Sequence, residues 1–353
     1  YTTSGCHRST DGGITWETFS VKNNAPEGKE PVKSGTPGGW IFDSVTGRLM
    51  FECYRSEEKV TDENHMHSQV IASDDGGKTW YLEYTFPCRV CMDEYRGDNT
   101  IPNYALSYSD GIQLSTYDGK GPNVDFVLNC AATNPDYGTT MVTRVIYSTD
   151  AGLTWTYGES EIRYSEGTGT YVHEGGFNEA TILERDDGVL VLYARCQYGN
   201  VDTFGRSFSY DHGKTWSEGE LSEVYAPNTQ PIMFEHYDNQ YMFWGGNNVL
   251  GGLSYQRFPF TVGISYDGLM TFENIQDMYS RYSMQGMTMA TRTYVVNQTL
   301  DSIGDTITMA WNGDYGTVIL RVDNFTDYFF PYDMFYDSNL HLTTDGARLR
   351  TLQ

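Results

Sequence analysis

Ser73-Asp-Asp-Gly-Gly-Lys-Thr-Trp80 is a turn sequence, and the chain repeats it. The pattern S-x-D-x-G-x-T-W stands again at Ser9–Trp16 (STDGGITW), Ser148–Trp155 (STDAGLTW) and Ser209–Trp216 (SYDHGKTW). A degenerate fifth copy, Ser265–Phe272 (SYDGLMTF), has Leu269 in place of the pattern's Gly and Phe272 in place of its Trp. Each residue type has a physical role in a tight turn. Asp accepts hydrogen bonds from backbone N–H groups two residues on, and Gly supplies a positive φ. Thr and Trp restart a strand, and the indole packs between neighbouring sheets. Alternating strands run into the boxes, as at Met141–Tyr147 and Thr261–Ile264. The box residues therefore read as structural, not catalytic.

The box Asp residues are Asp11, Asp75, Asp150, Asp211 and Asp267, with spacings of 64, 75, 61 and 56 residues. That period holds one four-stranded blade with its loops, so the expected fold is all-β, a six-bladed β-propeller. Five boxes mark five blades. Strands at Met287–Asn297, Thr306–Trp311 and Thr317–Val322 supply the sixth. The first box stands so near Tyr1 that C-terminal strands are expected to close its blade. No linker or shift in composition divides the chain, so residues 1–353 read as one domain with a Tyr- and Phe-rich tail over about 327–353.

Composition agrees. Aromatics reach 15% and glycines number 37 in 353 residues, as suits strands joined by tight turns. Net charge is −24, which argues against nucleic acid as a partner. No apolar run of membrane-spanning length occurs. The six cysteines include one C-x-x-C, Cys88 and Cys91, with no second pair or His cluster at zinc spacing. They read as buried thiols or disulfides, and the boxes lack the ligand density of a calcium loop. No metal and no cofactor is expected. Sequons at Asn297 and Asn324 point to a secreted or cell-surface protein, and a start at Tyr1 reads as a processed or trimmed chain.

Asp-boxes repeated at blade spacing resemble those of the sialidase superfamily, also called the BNR-repeat proteins. The resemblance implies exo-hydrolysis of a terminal acidic sugar, sialic acid or a relative, from a glycan. The anomeric carbon of that sugar carries a carboxylate, which would repel a carboxylate nucleophile. The family uses instead a neutral Tyr deprotonated by a Glu, an exception to the two-carboxylate rule. Arginines clamp the substrate carboxylate and an Asp acts as general acid.

Four segments carry the family pattern. In Asn178-Glu-Ala-Thr-Ile-Leu-Glu-Arg-Asp-Asp-Gly-Val-Leu-Val-Leu-Tyr-Ala-Arg195 a Glu starts a strand and the next strand ends in Arg, which implies Glu179 as base and Arg195 as clamp. The run Gly175-Gly176-Phe177-Asn178 reads as a rim loop before it. In Gln256–Asp267 the Arg preceding the strand into the last box is Arg257, a second clamp. Tyr282-Ser283 stands where the nucleophile is expected, with Tyr279 one step earlier and Tyr315 farther on as alternatives. In Pro37–Arg55 and the acidic loop after it, the pattern implies Arg55 as a subsite residue and Asp62 as general acid, chosen among Glu57, Glu58 and Glu63.

One departure stands out. The family opens this segment with Arg-Ile-Pro, and here the triplet is Gly35-Thr36-Pro37. Lys33 brings positive charge nearby but no bidentate fork. Two other readings stay open on that ground: a non-catalytic propeller that binds glycan or protein, and a propeller hydrolase or lyase of another polysaccharide.

Overall fold

The computed structural model describes residues 6–11, 14–32, 36–56, 66–85, 111–117, 123–133, 141–166, 173–197, 203–225, 231–237, 240–246, 260–277, 301–303, 306–313, 316–322 and 350–351. Among them there is no helix, and strands form one hairpin and five antiparallel sheets. The hairpin joins β1 (Cys6–Arg8) to β2 (Glu17–Phe19). Sheet I holds β3 (Thr36–Phe42), β4 (Leu49–Ser56), β5 (Met66–Ser73) and β6 (Tyr81–Thr85). Sheet II holds β7 (Ile112–Gln113), β8 (Phe126–Thr133), β9 (Met141–Ser148) and β10 (Thr156–Tyr157). Sheet III adds a strand, with β11 (Arg163–Glu166), β12 (His173–Glu184), β13 (Leu190–Gln197), β14 (Thr203–Ser209) and β15 (Glu220–Tyr225). Sheet IV holds β16 (Ile232–Tyr237), β17 (Gln240–Gly246), β18 (Phe260–Ser265) and β19 (Glu273–Asp277). Sheet V holds β20 (Asp301–Ile303), β21 (Thr306–Gly313), β22 (Gly316–Val322) and β23 (Arg350–Thr351). The strands expected at Thr306–Trp311 and Thr317–Val322 are β21 and β22. The segment Met287–Asn297 lies outside the described residues.

Every sheet from I to IV places its box between the same two strands, β5 and β6, β9 and β10, β14 and β15, β18 and β19. The register repeats as well. Each box Ser pairs with a residue at the start of the neighbouring strand: Ser73 with Leu49, Ser148 with Phe126, Ser209 with Leu190, Ser265 with Tyr241.

The turn is built by one carboxylate and one hydroxyl. In the box after β5, Asp75 Oδ1 accepts the backbone N–H groups of Lys78 and Thr79, both at 2.9 Å, and Oδ2 accepts the Thr79 hydroxyl at 2.7 Å. Ser73 donates its hydroxyl to Asp75 at 2.9 Å and accepts the N–H of Gly77 at 2.9 Å. The Asp thus reaches three and four residues on, not two as the sequence reading supposed, and Ser Oγ receives the N–H of the box glycine. The Asp–Thr hydroxyl bond recurs at Asp11, Asp150, Asp211 and Asp267, at 2.6 Å in each. The indole N–H of Trp80, Trp155 and Trp216 closes the turn onto the carbonyl of the box glycine at 3.0 to 3.1 Å. The degenerate box keeps the fold of the others at a cost. Leu269 adopts φ 69°, a conformation that suits glycine. Its side chain is fully buried against Val191, Tyr193 and Phe204, and the Tyr193 hydroxyl donates to its carbonyl at 2.7 Å.

Sheets I to IV pack face to face in chain order. Met50 and Val70 of sheet I meet Phe126 and Ile146 of sheet II. Val127 and Val145 of sheet II meet Phe177, Ile182 and Leu192 of sheet III. Tyr193 and Phe204 of sheet III meet Met233 and Leu269 of sheet IV. Box tryptophans sit in these seams, with Trp155 against sheet I residues and Trp216 against sheet II residues. Such serial packing of meandering antiparallel sheets is how propeller blades are assembled.

The hairpin docks on sheet I in the way that the outer strands of sheet II dock on sheet III. Asn24, beyond β2, accepts the Trp80 N–H at 3.1 Å and donates to the Lys78 carbonyl at 3.1 Å. Ser160, beyond β10, accepts the Trp216 N–H at 2.8 Å, and the N–H of Glu159 donates to the Lys214 carbonyl at 2.9 Å. Cys196 is buried, and no described helix is long and apolar enough to cross a membrane.

The hydrogen bonds from Thr15 and Ser9 bring the Asp11 carboxyl down to about 2. At Asp75 partial burial pushes upward, but the bonds from Thr79, Ser73 and Lys78 outweigh it and the result is again about 2. A carboxylate held below its ordinary value of 3.8 stabilises the fold at any pH above that value, and the contribution is lost as pH falls toward 2. Urea unfolding of the protein between pH 5 and pH 2 should therefore show falling stability, with a shallower fall in Asp75→Asn. An identical pH dependence in the variant would contradict this account of the turn.

Candidate active site

The alternation of buried side chains along β12 changes parity in its middle. Phe177 faces the sheet II seam, and so do Ala180 and Ile182. An uninterrupted strand would put Phe177 and Ala180 on opposite faces. The register accounts for this. Asn178 pairs with Arg195 and Ala180 with Ala194, so Glu179 is the extra residue of a β-bulge. Its φ is 31°, one of five non-glycine residues with positive φ among those described. Strained backbone of this kind persists where the surrounding structure over-determines it.

The bulge brings Glu179 to Arg195. Glu179 Oε2 accepts a hydrogen bond from Arg195 Nη1 at 2.7 Å, and the two side chains are 19% and 12% exposed. Both flanking segments are locked by packing: Phe177 and Ala180 on β12, and Ala194 and Cys196 on β13, are buried. The ion pair therefore sits on rigid strands, with each group partly shielded from water, so that their attraction is stronger than on an open surface.

Its position follows from strand direction. Strand β13 leaves the box end at Leu190, opposite Ser209, and reaches Arg195 opposite Phe204 near its far end. Glu179 and Arg195 thus lie toward the strand ends away from the boxes. Strand β4 has the same direction, from Leu49 opposite Ser73 to Arg55 opposite His67, so Arg55 also lies toward that end of its sheet. Its register position is one residue farther from the box than that of Arg195. The structure brings Glu179 and Arg195 together. Lys33, Asp62, Arg257 and Tyr282 lie outside the described residues, as do the alternatives Glu57, Glu58, Glu63, Tyr279 and Tyr315.

Two expectations about this region change. Glu179 does not start its strand, because β12 begins at His173. The run Gly175–Asn178 is not a rim loop. Gly175 and Gly176 pair with Tyr164 and Arg163 of β11, and Phe177 and Asn178 pair with Cys196 and Arg195. The added strand β11 satisfies backbone groups that a glycine-rich sequence seemed to leave to solvent. The bulge itself was missed, although the parity shift between Phe177 and Ala180 signals it.

The sequence reading also passed over two buried charges. Glu52 on β4 and Arg144 on β9 are 1% and 7% exposed. They lie two residues from Met50 and Ile146, which share one core cluster, so alternation puts both in the seam between sheets I and II. Arg144 Nε also lies 3.8 Å from Glu161 Oε1. Among the described residues no group of His, Cys, Asp and Glu is gathered as metal ligands.

Meandering antiparallel sheets, four of them stacked in series with one Asp-held turn in each, and a shielded Glu–Arg pair at the other strand ends define a blade-built repeat protein. The family model of the BNR repeat-like domain matches residues 8–316, and the chain belongs to that family, within the sialidase superfamily. A sialidase of Bacteroides fragilis is 25% identical over 291 residues, which cover 76% of this chain and 47% of that protein. The chain spans about half or less of the length of the curated relatives it matches. Among solved structures, a Trypanosoma rangeli sialidase bound to 2,3-difluorosialic acid superposes with TM-score 0.56 at 16% identity, over 89% of this chain and 48% of that one. The α-L-arabinofuranosidase Arb93A of Fusarium graminearum superposes with TM-score 0.52 at 16% identity, over 86% of this chain and 81% of that one. These likenesses establish the fold.

Removing one member of a shielded pair takes a charged hydrogen-bond partner from the other, so Glu179→Ala and Arg195→Ala should each destabilise the fold while the double variant loses less than their sum. A double-mutant cycle by urea unfolding should return a coupling of about 1–3 kcal/mol. Additive losses would show that the contact contributes nothing.

Proposed function

We propose that this protein is a retaining exo-glycosidase that removes a terminal acidic sugar, sialic acid or a relative, from glycans. The observation that carries the reading is the Glu179–Arg195 ion pair, held on a bulge at 2.7 Å toward the strand ends away from the boxes. A general base and a carboxylate-binding cation must act within a few ångströms of each other on a sugar whose anomeric carbon bears the carboxylate. This pair supplies both.

In the proposed reaction Arg195 and Arg257, with the charge of Lys33, hold the substrate carboxylate, and Arg55 lines a neighbouring subsite. Asp62 gives its proton to the leaving glycosidic oxygen. Tyr282 attacks the anomeric carbon as Glu179 takes its phenolic proton, which relieves the poor nucleophilicity of a phenol whose pKa is near 10. Water then attacks the glycosyl-enzyme, Asp62 takes a proton from it, and Glu179 returns the proton to Tyr282. No metal or cofactor enters, and the product is a glycan shortened by one sugar.

The same reading takes the propeller to have six blades. The hairpin β1–β2 carries a box and docks on sheet I as an outer strand pair does, and Trp16 is 41% exposed where the other box tryptophans are buried. Its inner strands are then those of the C-terminal part of the chain. Secretion or display at a cell surface fits a glycan substrate.

A second reading has its own support. Gly35 replaces the arginine of the Arg-Ile-Pro opening, and an arabinofuranosidase is among the structures of like fold. A furanoside or other plant-type polysaccharide is then the substrate. Release of fluorophore from 4-methylumbelliferyl sialoside and from 4-methylumbelliferyl α-L-arabinofuranoside separates the two. The first should be turned over, and Glu179→Gln and Tyr282→Phe should each lower kcat by about 10² to 10⁴. Turnover of the arabinoside alone would replace the first reading with the second, and turnover of neither would favour a binding protein.

A further inference from the structure

The ring of Phe177 fills a slot between two glycines. A side-chain carbon added at Gly205 would run into Cζ, Cε1 and Cδ1 of the ring, and one added at Gly219 into Cε2, all well inside van der Waals contact. Neither glycine has a positive φ, so neither is required by its backbone conformation. Gly205 is required by the ring, and Gly219 by the ring together with the Arg163 carbonyl. Gly205 belongs to β14, where it pairs with Ala194, and Phe177 itself pairs with Cys196. Small residues thus extend from β13 to β14 beneath one fully buried aromatic side chain.

A bulge adds one residue to a strand, and nothing in strand geometry fixes which residue it is. Here the core fixes it. Phe177 is pinned in the glycine slot on one side. Ala180 and Ile182 are pinned in the same hydrophobic seam on the other. Both constraints hold together only if the chain gains its extra residue between them, and the register places that residue at Glu179. The φ of 31° at Glu179 is the local strain of that requirement, and the contact with Arg195 is its result.

We propose that Phe177 is a positioning residue: its ring, seated between Gly205 and Gly219, sets the bulge that presents the Glu179 carboxylate to Arg195. The catalytic consequence rests on the proposed role of Glu179 as base. The structural consequence does not.

Gly205→Ala is the direct test, because the nearest atoms to the added carbon belong to the Phe177 ring alone. At temperatures where thermal melts show the variant folded, kcat on 4-methylumbelliferyl sialoside should fall by about 10- to 100-fold, with KM changed by less than about threefold. Adding Phe177→Leu to that variant makes room for the new methyl group and should recover about half of the loss on a logarithmic scale. Phe177→Leu alone, which introduces no overlap, should also lower kcat, and it serves if Gly205→Ala does not fold. A crystal structure of whichever variant folds should show the Glu179–Arg195 separation opened beyond about 4 Å, the limit of an ion pair. A separation still at 2.7 Å, or an unchanged kcat per folded molecule in a protein that Glu179→Gln inactivates, would overturn the proposal. If Glu179→Gln leaves turnover intact, the base assignment fails, and the crystallographic separation still decides whether Phe177 sets the bulge.

Discussion

The structure depends on one carboxylate used five times. In each box one Asp oxygen accepts the backbone N–H of the Thr four residues on, and its second oxygen takes the hydroxyl of that Thr. That set of bonds closes the hairpin and fixes which strand ends lie at the box end of each sheet. Strand direction then alternates through every meander, so the loops at the opposite ends are released from structural duty. Of the proposed site residues, Glu179, Arg195 and Arg55 have register positions toward those opposite ends. The division of labour is physical. Hydrogen-bonded turns occupy one end, and the end proposed to carry chemistry is held in place by sheet packing.

Where the repeat is broken, something specific replaces it. In the last box Leu269 takes a backbone conformation that costs a non-glycine residue about 1 kcal/mol or more. Its complete burial against the aromatic rings of sheet III offsets this by about 2 kcal/mol, the worth of a buried Leu side chain. In sheet III, β12 departs from regular pleating at Glu179, and the gain is an ion pair that a regular strand would not form. Both deviations are local conflicts resolved by the surrounding core, the expected place for function or strain in an otherwise consistent fold.

Much of this was legible in the sequence, because the box is a local motif whose residues each answer a local requirement. The turn at Asp75, the strands on either side and the burial of Trp155 and Trp216 follow from residue chemistry within eight positions. Glu179 and Arg195 were legible as site candidates only through a resemblance, and their pairing, which depends on the register between two strands, was not legible at all. The bulge is marked in the sequence only by the parity shift between Phe177 and Ala180, and the glycines that receive the Phe177 ring, Gly205 and Gly219, stand far along the chain from it. Gly175 and Gly176 misled in the other direction: glycines suggest a loop, and the partner strand β11 that holds them carries no mark of its pairing. Buried charges such as Glu52 and Arg144 look like surface residues until the sheets are stacked.

In the proposed function the strand ends opposite the boxes form a site for an acidic sugar, with Arg195 as its carboxylate anchor. A crystal structure with a 2,3-dehydro derivative of sialic acid, planar at the anomeric carbon as an oxocarbenium-like transition state is, tests this most directly. The ligand carboxylate should be in hydrogen-bond contact with the Arg195 guanidinium and the Tyr282 hydroxyl next to the anomeric carbon. A ligand seated against the box face, or bound with Arg195 remote from its carboxylate, would contradict it.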